Sequence, residues 1–429
     1  MVNLNSINIK GLDQTLYYEK LDNGLEVFLL PYDNKKNWTM HYATKFGSIA
    51  TSFVPYGKDK EITVPDGIAH FLEHKMFEQE DGIDPFTFAS KTGTYSNAST
   101  NYTCTQYYFD GNKAFKENLD YLLTFVDSPY FTDENVEKEK GIISEEIKQY
   151  DDEVEWFFDE EMKKAMLNKD NHRVDIAGTV ETINKITKED LYNTYYTFYQ
   201  PSNMFIVITG SFNVNEAMDV IKNNKALNEN KIKFDIEVKK EKEVLKVKEK
   251  NVTKKFNIHN TKVGYGVKLP IGNNDKFLFY AYIALLVNTK FGTSSLFREK
   301  LKKEKLITSF YMDREIIDDY VLLFFKADTK KPKELVEAIK KELTNIDIKD
   351  EEIERMKKVW ISSYVMTYDD IEAACDNIMD DIIIYDKFID NKIDLYRSLN
   401  KKDYMNILKG LDFTNSSIVT ILPNTEKED

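Results

Sequence analysis

The sequence is poor in the residues on which small secreted and fibrous proteins depend. It has two cysteines, Cys104 and Cys375, among 429 residues, too few for a disulfide framework. A single long-range bridge is one alternative, but we expect both thiols to be reduced. Its 16 glycines and 9 prolines exclude collagen-like and low-complexity architectures. The longest apolar run, residues 277–287, is far shorter than the about 20 residues of a membrane-spanning helix. That run predicts a buried core helix instead.

The chain also lacks an excess of basic residues. Its 59 lysines and arginines are outnumbered by 73 acidic residues, which gives a formal net charge of −14. Nucleic acids and anionic membranes attract clustered lysine and arginine, so this balance argues against both as partners. The first 20 residues contain no apolar core followed by a small-residue cleavage site, and we therefore expect a cytoplasmic protein.

With 42% hydrophobic residues the chain can bury large cores, and its two halves resemble each other. Two shifts of nearly equal size, 213 and 217 residues, superpose four pairs of segments. Such agreement indicates a duplicated unit. The superposed pairs are 188–190 with 401–403, 204–209 with 417–422, 116–117 with 333–334, and 136–142 with 353–359.

Each half mixes strand pairs with helix pairs instead of alternating strand and helix. This pattern predicts an α+β fold of two homologous halves, each a mainly antiparallel sheet packed with helices. We place the first half at 1–221, an exposed connecting segment rich in lysine and glutamate at 222–255, and the second half at 256–429. In the first half we predict strands within 25–55 and 95–110 and at 204–209, and helices at 66–79, 112–126, 132–151 and 187–198.

A metal-binding pattern lies in the predicted helix at 66–79. Only five histidines occur in the chain, and two of them, His70 and His74, flank Glu73 in an HxxEH motif. On a helix these three residues share one face, so two imidazoles can bind one ion and hold the carboxylate beside it. A single histidine would be explained as a surface or core residue, but this spacing favours a metal site.

A catalytic zinc ion usually has three protein ligands and one open position. The helix predicted at 132–151 carries many carboxylates, of which Glu139 and Glu146 lie two turns apart on one face beside an apolar pair. One of them could bind the metal while the other steadies a ligand histidine. Glu145 remains an alternative, and the ligand set would also accept manganese or cobalt.

Residues 95–106 are polar, β-branched and aromatic, a composition typical of a half-exposed edge strand. An exposed edge offers its main-chain N–H and C=O groups to an incoming peptide. We expect Asn97 to be the side chain that contacts such a peptide. An ordinary surface strand is the alternative explanation.

The order of these segments resembles that of the pitrilysin family of zinc peptidases, which includes insulysin and the mitochondrial processing peptidase. The resemblance covers most of the first half and extends more weakly over the second. It implies two homologous halves and an activity on peptide bonds. The segments that carry it are DGIAHFLEHKMFE, YSNASTNYT, EKEKGIISEEIKQYDD, the Gly178-Thr179 turn and YQPSNMFIVITG.

The same resemblance implies a role for individual residues and one zinc ion per chain. The implied residues are the zinc ligands His70, His74 and Glu146, the catalytic residues Glu73, as general base, and Glu139, and the substrate-binding residues Asn97, Ala98, Ser99 and Thr100.

The second half departs from this pattern. In an ungapped comparison Ser295, Arg298 and Glu299 replace the two histidines and the glutamate, so we predict no metal site there. Family members commonly carry an arginine and a tyrosine in this region, where this chain has Lys302 and Ser309. Lysine lacks the planar fork of arginine, and serine lacks a phenol.

This departure bears on the partner that the resemblance implies. Tyr311 could replace the tyrosine only if the register shifts. The resemblance implies a dimer, either a homodimer that uses other contacts or a heterodimer with a related subunit that lacks HxxEH and supplies the missing arginine and tyrosine.

Together, the metal-binding pattern and the resemblance predict a zinc-dependent endopeptidase for unfolded peptides or a specific precursor. One alternative is a non-catalytic or partner-dependent subunit for peptide binding or assembly, although a structural metal would not need Glu73. Another alternative is a non-proteolytic zinc hydrolase, which leaves the edge strand unexplained.

Overall fold

A computed structural model describes residues 4–230 and 232–424. Residues 1–3, 231 and 425–429, which belong to the predicted first half, connecting segment and second half, lie outside the described residues. The chain forms two compact units. The first unit comprises Met1–Lys148, Val174–Lys240 and Val365–Asn391, and the second comprises Gln149–Arg173, Glu241–Tyr364 and Lys392–Asp429.

Fourteen strands are present within the described residues. They are β1 (Asn5–Asn8), β2 (Thr15–Lys20), β3 (Glu26–Pro31), β4 (Trp38–Thr44), β5 (Ser52–Phe53), β6 (Ile62–Thr63), β7 (Tyr95–Thr100), β8 (Thr105–Gly111), β9 (Met204–Gly210), β10 (Asn251–Phe256), β11 (Lys262–Pro270), β12 (Ser309–Ile317), β13 (Tyr320–Asp328) and β14 (Ser416–Pro423).

The described residues also form sixteen α-helices and two short 3₁₀ helices, Asn171–Arg173 and Pro201–Asn203. The α-helices are α1 (Ile68–Met76), α2 (Pro85–Thr92), α3 (Phe115–Val126), α4 (Asp133–Asp151), α5 (Val154–Met166), α6 (Val180–Ile183), α7 (Lys188–Phe198), α8 (Val214–Asn223), α9 (Lys225–Glu229), α10 (Lys276–Phe291), α11 (Leu296–Lys303), α12 (Pro332–Thr344), α13 (Asp350–Thr367), α14 (Ile371–Tyr385), α15 (Lys392–Ser398) and α16 (Lys401–Leu408). Among the described residues, no helix combines the length and apolarity needed to cross a membrane.

The first unit is built on a seven-stranded sheet in the order β1-β2-β3-β9-β4-β8-β7. All neighbouring strands are antiparallel except β3 and β9. The central strands β4 and β9 are buried along their whole length because apolar side chains alternate with residues such as His41 and Thr209 that face α14. The sheet ends at β7, which is therefore an edge strand of this unit.

The second unit repeats the topology of the first. Its five-stranded sheet has the order β10-β14-β11-β13-β12, with a parallel first pair followed by three antiparallel pairs. The order β3-β9-β4-β8-β7 has the same pattern of directions. The predicted α+β class with two sheet-containing halves is confirmed.

The superposed sequence segments correspond to equivalent elements. The four pairs are α7 with α16, β9 with β14, α3 with α12, and α4 with α13. The predicted cap of α7 is also present, since Thr187 and Asp190 form a reciprocal capping box at its start. The strand predicted over 95–110 is a hairpin of two strands, β7 and β8.

One sequence comparison in the second half was wrong. Ser295 is the N-cap of α11, and α11 precedes the edge strand β12 just as α2 precedes β7. By this order the counterpart of α1 is α10, not the segment with Arg298 and Glu299. The ungapped shift failed because α10 is 16 residues long whereas α1 has 9. Helix α10 contains no histidine and is a buried core helix, as its apolar run predicted.

The units are not contiguous in sequence, so they differ from the division predicted at 221 and 256. Residue 221 lies within α8, and residue 256 is the last residue of β10. Helix α5 belongs to the second unit, where Met162 and Met166 pack over β11. Gly264 and Gly266 permit this approach, because a Cβ on either would come within 2.3 Å of a methionine sulfur. Helix α14 belongs to the first unit, and the carbonyl oxygen of its first residue, Ile371, accepts a hydrogen bond from Thr209.

Candidate metal centre

Helix α1 presents the HxxEH motif on one face while its other side is buried. Phe71 and Leu72 lie in the core of the first unit. The helix begins after Gly67, whose φ of +91° suits glycine and whose missing Cβ leaves room for the carbonyl oxygen of Ala177. This close contact fixes where α1 begins, and therefore where the HxxEH motif lies in the first unit.

Helix α4 supplies the third donor. Its apolar residues Val136 and Ile143 lie in the core, and Glu146 faces the two histidines. The Nε2 atom of His70 lies 3.8 Å from one carboxylate oxygen of Glu146, and the Nε2 atom of His74 lies 3.4 Å from the other. Together, one ligand atom from each of these three residues falls within 4.8 Å of the others.

The donor set fits zinc. Two imidazole nitrogens and a carboxylate oxygen bind zinc at about 2.0–2.2 Å, and donors in a tetrahedron of that size lie about 3.4 Å apart. The separations of 3.8 and 3.4 Å involving Glu146 are close to this requirement. The structure thus brings His70, His74 and Glu146 together, whereas Glu145 pairs with Lys148 at 2.6 Å and is largely exposed.

The histidines differ in their surroundings. Burial, followed by the charge of His74, lowers the pKa of His70 to about 4, which keeps its imidazole in the neutral form that binds metals. Burial also acts to lower the pKa of His74, but the hydrogen bond to Glu139 and three nearby carboxylates raise it above its usual value. His74 is thus the histidine whose orientation depends on a carboxylate partner.

Glu139 provides that partner. Its Oε1 lies 3.0 Å from Nδ1 of His74, and its Oε2 lies 3.8 Å from Nζ of Lys75. Burial acts to raise the pKa of Glu139, but the hydrogen bond and charge of His74, helped by Lys75, lower it below its usual value. A carboxylate held in this way fixes the tautomer and plane of a ligand histidine.

Lys75 was missed by the sequence reasoning. Its side chain is completely buried and also donates to Oε2 of Glu78 at 2.5 Å. A buried lysine is rare unless it is paired, and here two carboxylates share its charge. The sequence feature that could have identified Lys75 is its position on the predicted buried face of α1, where the other residues are apolar.

Glu73 lies beside the donors but contacts a different element. The hydroxyl of Thr100, the last residue of β7, donates to Oε2 of Glu73 at 2.6 Å. Burial raises the pKa of Glu73, and this hydrogen bond opposes the increase. The sequence predicted both residues at the site, but not that they touch.

The other predicted residues of β7 are engaged within the hairpin. Asn97 donates to the hydroxyl of Tyr95 and accepts from the backbone N–H of Ala98, both within about 3 Å. Ser99 accepts a hydrogen bond from Gln106. Ala98 packs against the core of the first unit.

A cavity of about 600 Å³ opens beside the donors in the first unit. Its walls combine stacked aromatic rings, Phe77 and Phe86 with centroids 4.8 Å apart, and carboxylates including Glu73 and Glu139. Asn97 is also part of its lining. The cavity therefore joins the edge strand to the donor cluster.

Two protein-family models match this chain. Residues 44–180, which contain the motif and α4, match the model described as "Insulinase (Peptidase family M16)". Residues 185–359 match "Peptidase M16 inactive domain". The two matches divide the chain into a motif-bearing part and a part without it.

Individual proteins are similar over most of the chain. The uncharacterized zinc protease YmfH of Bacillus subtilis is 38% identical over 368 residues, which cover 84% of this chain and 85% of YmfH. A solved structure of an M16-like peptidase from Alicyclobacillus acidocaldarius has a TM-score of 0.90 and 29% identity, covering 97% of this chain and 100% of that one. Pitrilysin, at 16% identity, shares the fold with a TM-score of 0.76 over 99% of this chain and 47% of its own. On these findings the chain belongs to peptidase family M16, the pitrilysin family, whose named members here include zinc proteases.

Proposed function

We propose that this chain is a zinc-dependent endopeptidase that hydrolyses peptide bonds in unfolded peptides or in a specific precursor. The observation that carries the proposal is the convergence of His70, His74 and Glu146 beside the carboxylate of Glu73. These three residues would hold one zinc ion per chain, which when bound supplies Lewis-acid chemistry towards water and a peptide carbonyl.

Glu73 is the proposed general base. Thr100 occupies its Oε2, so Oε1 is the oxygen that would take a proton from the attacking water and return it to the leaving amine. Burial holds the pKa of Glu73 above that of an ordinary glutamate, which makes its carboxylate a stronger base. A metal with only a structural role would need no such residue.

The edge strand β7 is the proposed binding site for the substrate backbone. The N–H of Asn101 donates to the carbonyl of Cys104 where the hairpin closes. Because bonded and non-bonded pairs alternate along an antiparallel ladder, the N–H and C=O groups of Ala98 face away from β8. Asn97 covers that N–H and would have to release it to an incoming peptide.

A partner subunit is part of the proposal. By the resemblance, Lys302 and Ser309 fall near the positions at which family members commonly carry arginine and tyrosine, and the Ser309 hydroxyl donates to Asp328. Tyr311 is exposed on β12. We propose a dimer with a second copy or with a related chain that lacks HxxEH. Copurification of such a chain, with activity only in the mixture, would support the second form.

The alternative is a peptide-binding or assembly subunit without activity. The match of residues 185–359 to an inactive-domain model leaves this alternative open. The intact pair of Glu73 and Thr100 favours catalysis.

The test is hydrolysis of a peptide library, read by mass spectrometry, by wild type and by Glu73→Gln. We expect cleavage by wild type that a chelator abolishes and zinc restores. Glu73→Gln should retain zinc but lose activity by about 10²–10⁴-fold, the usual contribution of a positioned proton-transfer group. Each reaction is run with and without any copurifying chain. Equal cleavage by the variant would contradict the assignment, and zinc binding without cleavage in all samples would favour the alternative.

A further inference from the structure

Thr100 makes a short hydrogen bond to Glu73. Its Oγ1 lies 2.6 Å from Oε2 of the carboxylate, a distance typical of a hydroxyl that donates to a charged acceptor. Glu73 is 8% exposed, so water competes little for this bond. The two residues lie 27 positions apart and on different elements.

Thr100 has a defined place in the hairpin. It lies opposite Thr105 at the closed end of the hairpin. The Oγ1 atoms of the two threonines lie 3.4 Å apart, and the Thr105 hydroxyl donates to the buried carbonyl of Phe46 at 3.0 Å. Because the Thr105 hydroxyl uses its proton on Phe46, the Thr100 hydroxyl is left to donate to Glu73, and it does so from the last position of a sheet strand.

A carboxylate on a helix can rotate about its terminal torsion, which is broad and roughly two-fold. A general base works only when the accepting oxygen lies within hydrogen-bond reach of the proton, and small misplacements cost large factors in rate. Fixing one oxygen of Glu73 defines the plane of the group and the direction of the other oxygen. Side chains in such supporting positions determine how closely a site holds its productive geometry.

We propose that Thr100 is a positioning residue for the reaction: its hydroxyl fixes Oε2 of Glu73 so that Oε1 exchanges the proton. This inference rests on the proposed function, and it gives the last residue of the edge strand a role beyond main-chain binding. The strand that receives the substrate would thereby also align the base.

The experiment compares Thr100→Val, which keeps the shape and removes the hydroxyl, with Thr100→Ser, which keeps the hydroxyl. Thr103→Val is the matched control, because Thr103 is exposed in the loop of the same hairpin. Steady-state peptide hydrolysis, zinc content and thermal unfolding are measured for each protein, together with crystal structures of wild type and Thr100→Val.

We expect Thr100→Val to lower kcat by about 10- to 100-fold, part of the about 10²–10⁴-fold that a positioned proton-transfer group contributes. KM and zinc content should change by less than about twofold, since the hydroxyl binds neither peptide nor metal. The kcat of Thr100→Ser should remain within about threefold of the wild-type value, and the kcat of Thr103→Val should equal the wild-type value. In the crystals Glu73 should rotate in Thr100→Val only.

Unchanged kcat in Thr100→Val would overturn the inference, as would an equal loss in Thr100→Ser. A Glu73 carboxylate with the same orientation in both crystals would overturn it as well. If wild type and Glu73→Gln were equally inactive, the proposed function would fail. The crystallographic comparison would then still decide whether Thr100 fixes Glu73.

Discussion

The two units share a five-strand order but differ in the helix that leads towards the edge strand. In the first unit, α1 has one apolar side and one side with His70, Glu73 and His74. In the second, α10 is apolar almost all round, and eleven of its 16 residues are buried. The same topology therefore tolerates either a polar face or a fully packed helix at this place. The fold depends on the alternation of buried residues in the strands, and the site depends on a few positions of one helix.

The edges of the two sheets differ in the same way. Strand β7 carries small polar side chains and ends on Thr100, whose hydroxyl reaches Glu73. Strand β12 is longer and exposes Tyr311 beside charged residues. Charged side chains on an edge strand hinder the addition of another strand. The comparison predicts chemistry in one unit and a structural role for the corresponding part of the other.

The largest expected effect is the loss of zinc on removal of a ligand. His74→Ala should reduce bound zinc from one ion per chain to none, because the described residues contain no second cluster of three donors that could hold the ion. Metal content after dialysis measures this change, and His259→Ala, at an exposed histidine, is the control. Two zinc ions per wild-type chain would contradict the expectation that the second unit binds no metal.

The next largest effect should occur in the second unit, which has a buried ion pair of its own. Lys268 donates to Glu243 at 2.5 Å, and both side chains are almost completely inaccessible. Lys268→Met leaves that carboxylate without its cation, which we expect to lower the free energy of unfolding by about 3–5 kcal/mol. Urea denaturation measures this change in the free energy of unfolding. Zinc content should remain at the wild-type level, and its loss would contradict the independence of the two sites.

The same ion pair predicts a dependence of stability on pH. Burial acts to raise the pKa of Glu243, but Lys268 and three backbone N–H groups lower it to about 2. An unfolded glutamate has a pKa of about 4.3, so the contribution is complete above that pH and is lost as the pH falls towards 2. The difference in urea midpoint between wild type and Glu243→Gln should therefore shrink between pH 5 and 3. A constant difference would argue against an ionised Glu243.

A smaller effect should follow in the first unit when the group that orients a proposed metal ligand is replaced. Glu139→Gln replaces the carboxylate that orients His74 with a neutral amide, which should weaken zinc binding by about 10- to 100-fold. Competition with a chromogenic chelator measures the affinity. Glu137→Gln, on the exposed side of the same helix, is the control. An affinity equal to that of wild type would mean that Glu139 does not hold the ligand.

The smallest effects should be equal in the two halves. Thr187 caps α7 and Asn400 caps the corresponding helix α16, each accepting from a backbone N–H three residues later. Replacing either by alanine should cost about 1 kcal/mol of unfolding free energy. Urea denaturation of the two variants checks whether the duplicated elements have kept equivalent energetic roles. A difference above about 1 kcal/mol would show that they have not.

The features that could be predicted from the sequence are those encoded by residues close to one another in the chain. The motif was readable because His70, Glu73 and His74 occur within one helical turn and a half. Glu146 was identified as a candidate because helical spacing placed it on the same face as Glu139. Those signals depend only on the period of a helix, which the sequence carries directly.

The contacts that sequence reasoning missed join distant elements. The bond from Thr100 to Glu73 and the pairing of Lys75 with Glu139 depend on how strands and helices pack, and no periodicity encodes that. The membership of α14 in the first unit was missed for the same reason, since an apolar face does not specify which sheet it will cover. The ungapped comparison failed at α10 because equivalent helices differ in length.

The exchange of helices between sequence halves has a practical consequence for dissecting this protein. A fragment that ends at residue 221 would lack α14, which packs on the sheet near His41 and Thr209. That sheet surface would then be exposed to water and prone to aggregation. A fragment that starts at residue 256 would lack α5 over Gly264 and Gly266. Separate expression of the halves should therefore yield aggregates, and the two fragments should regain structure only when they are produced together.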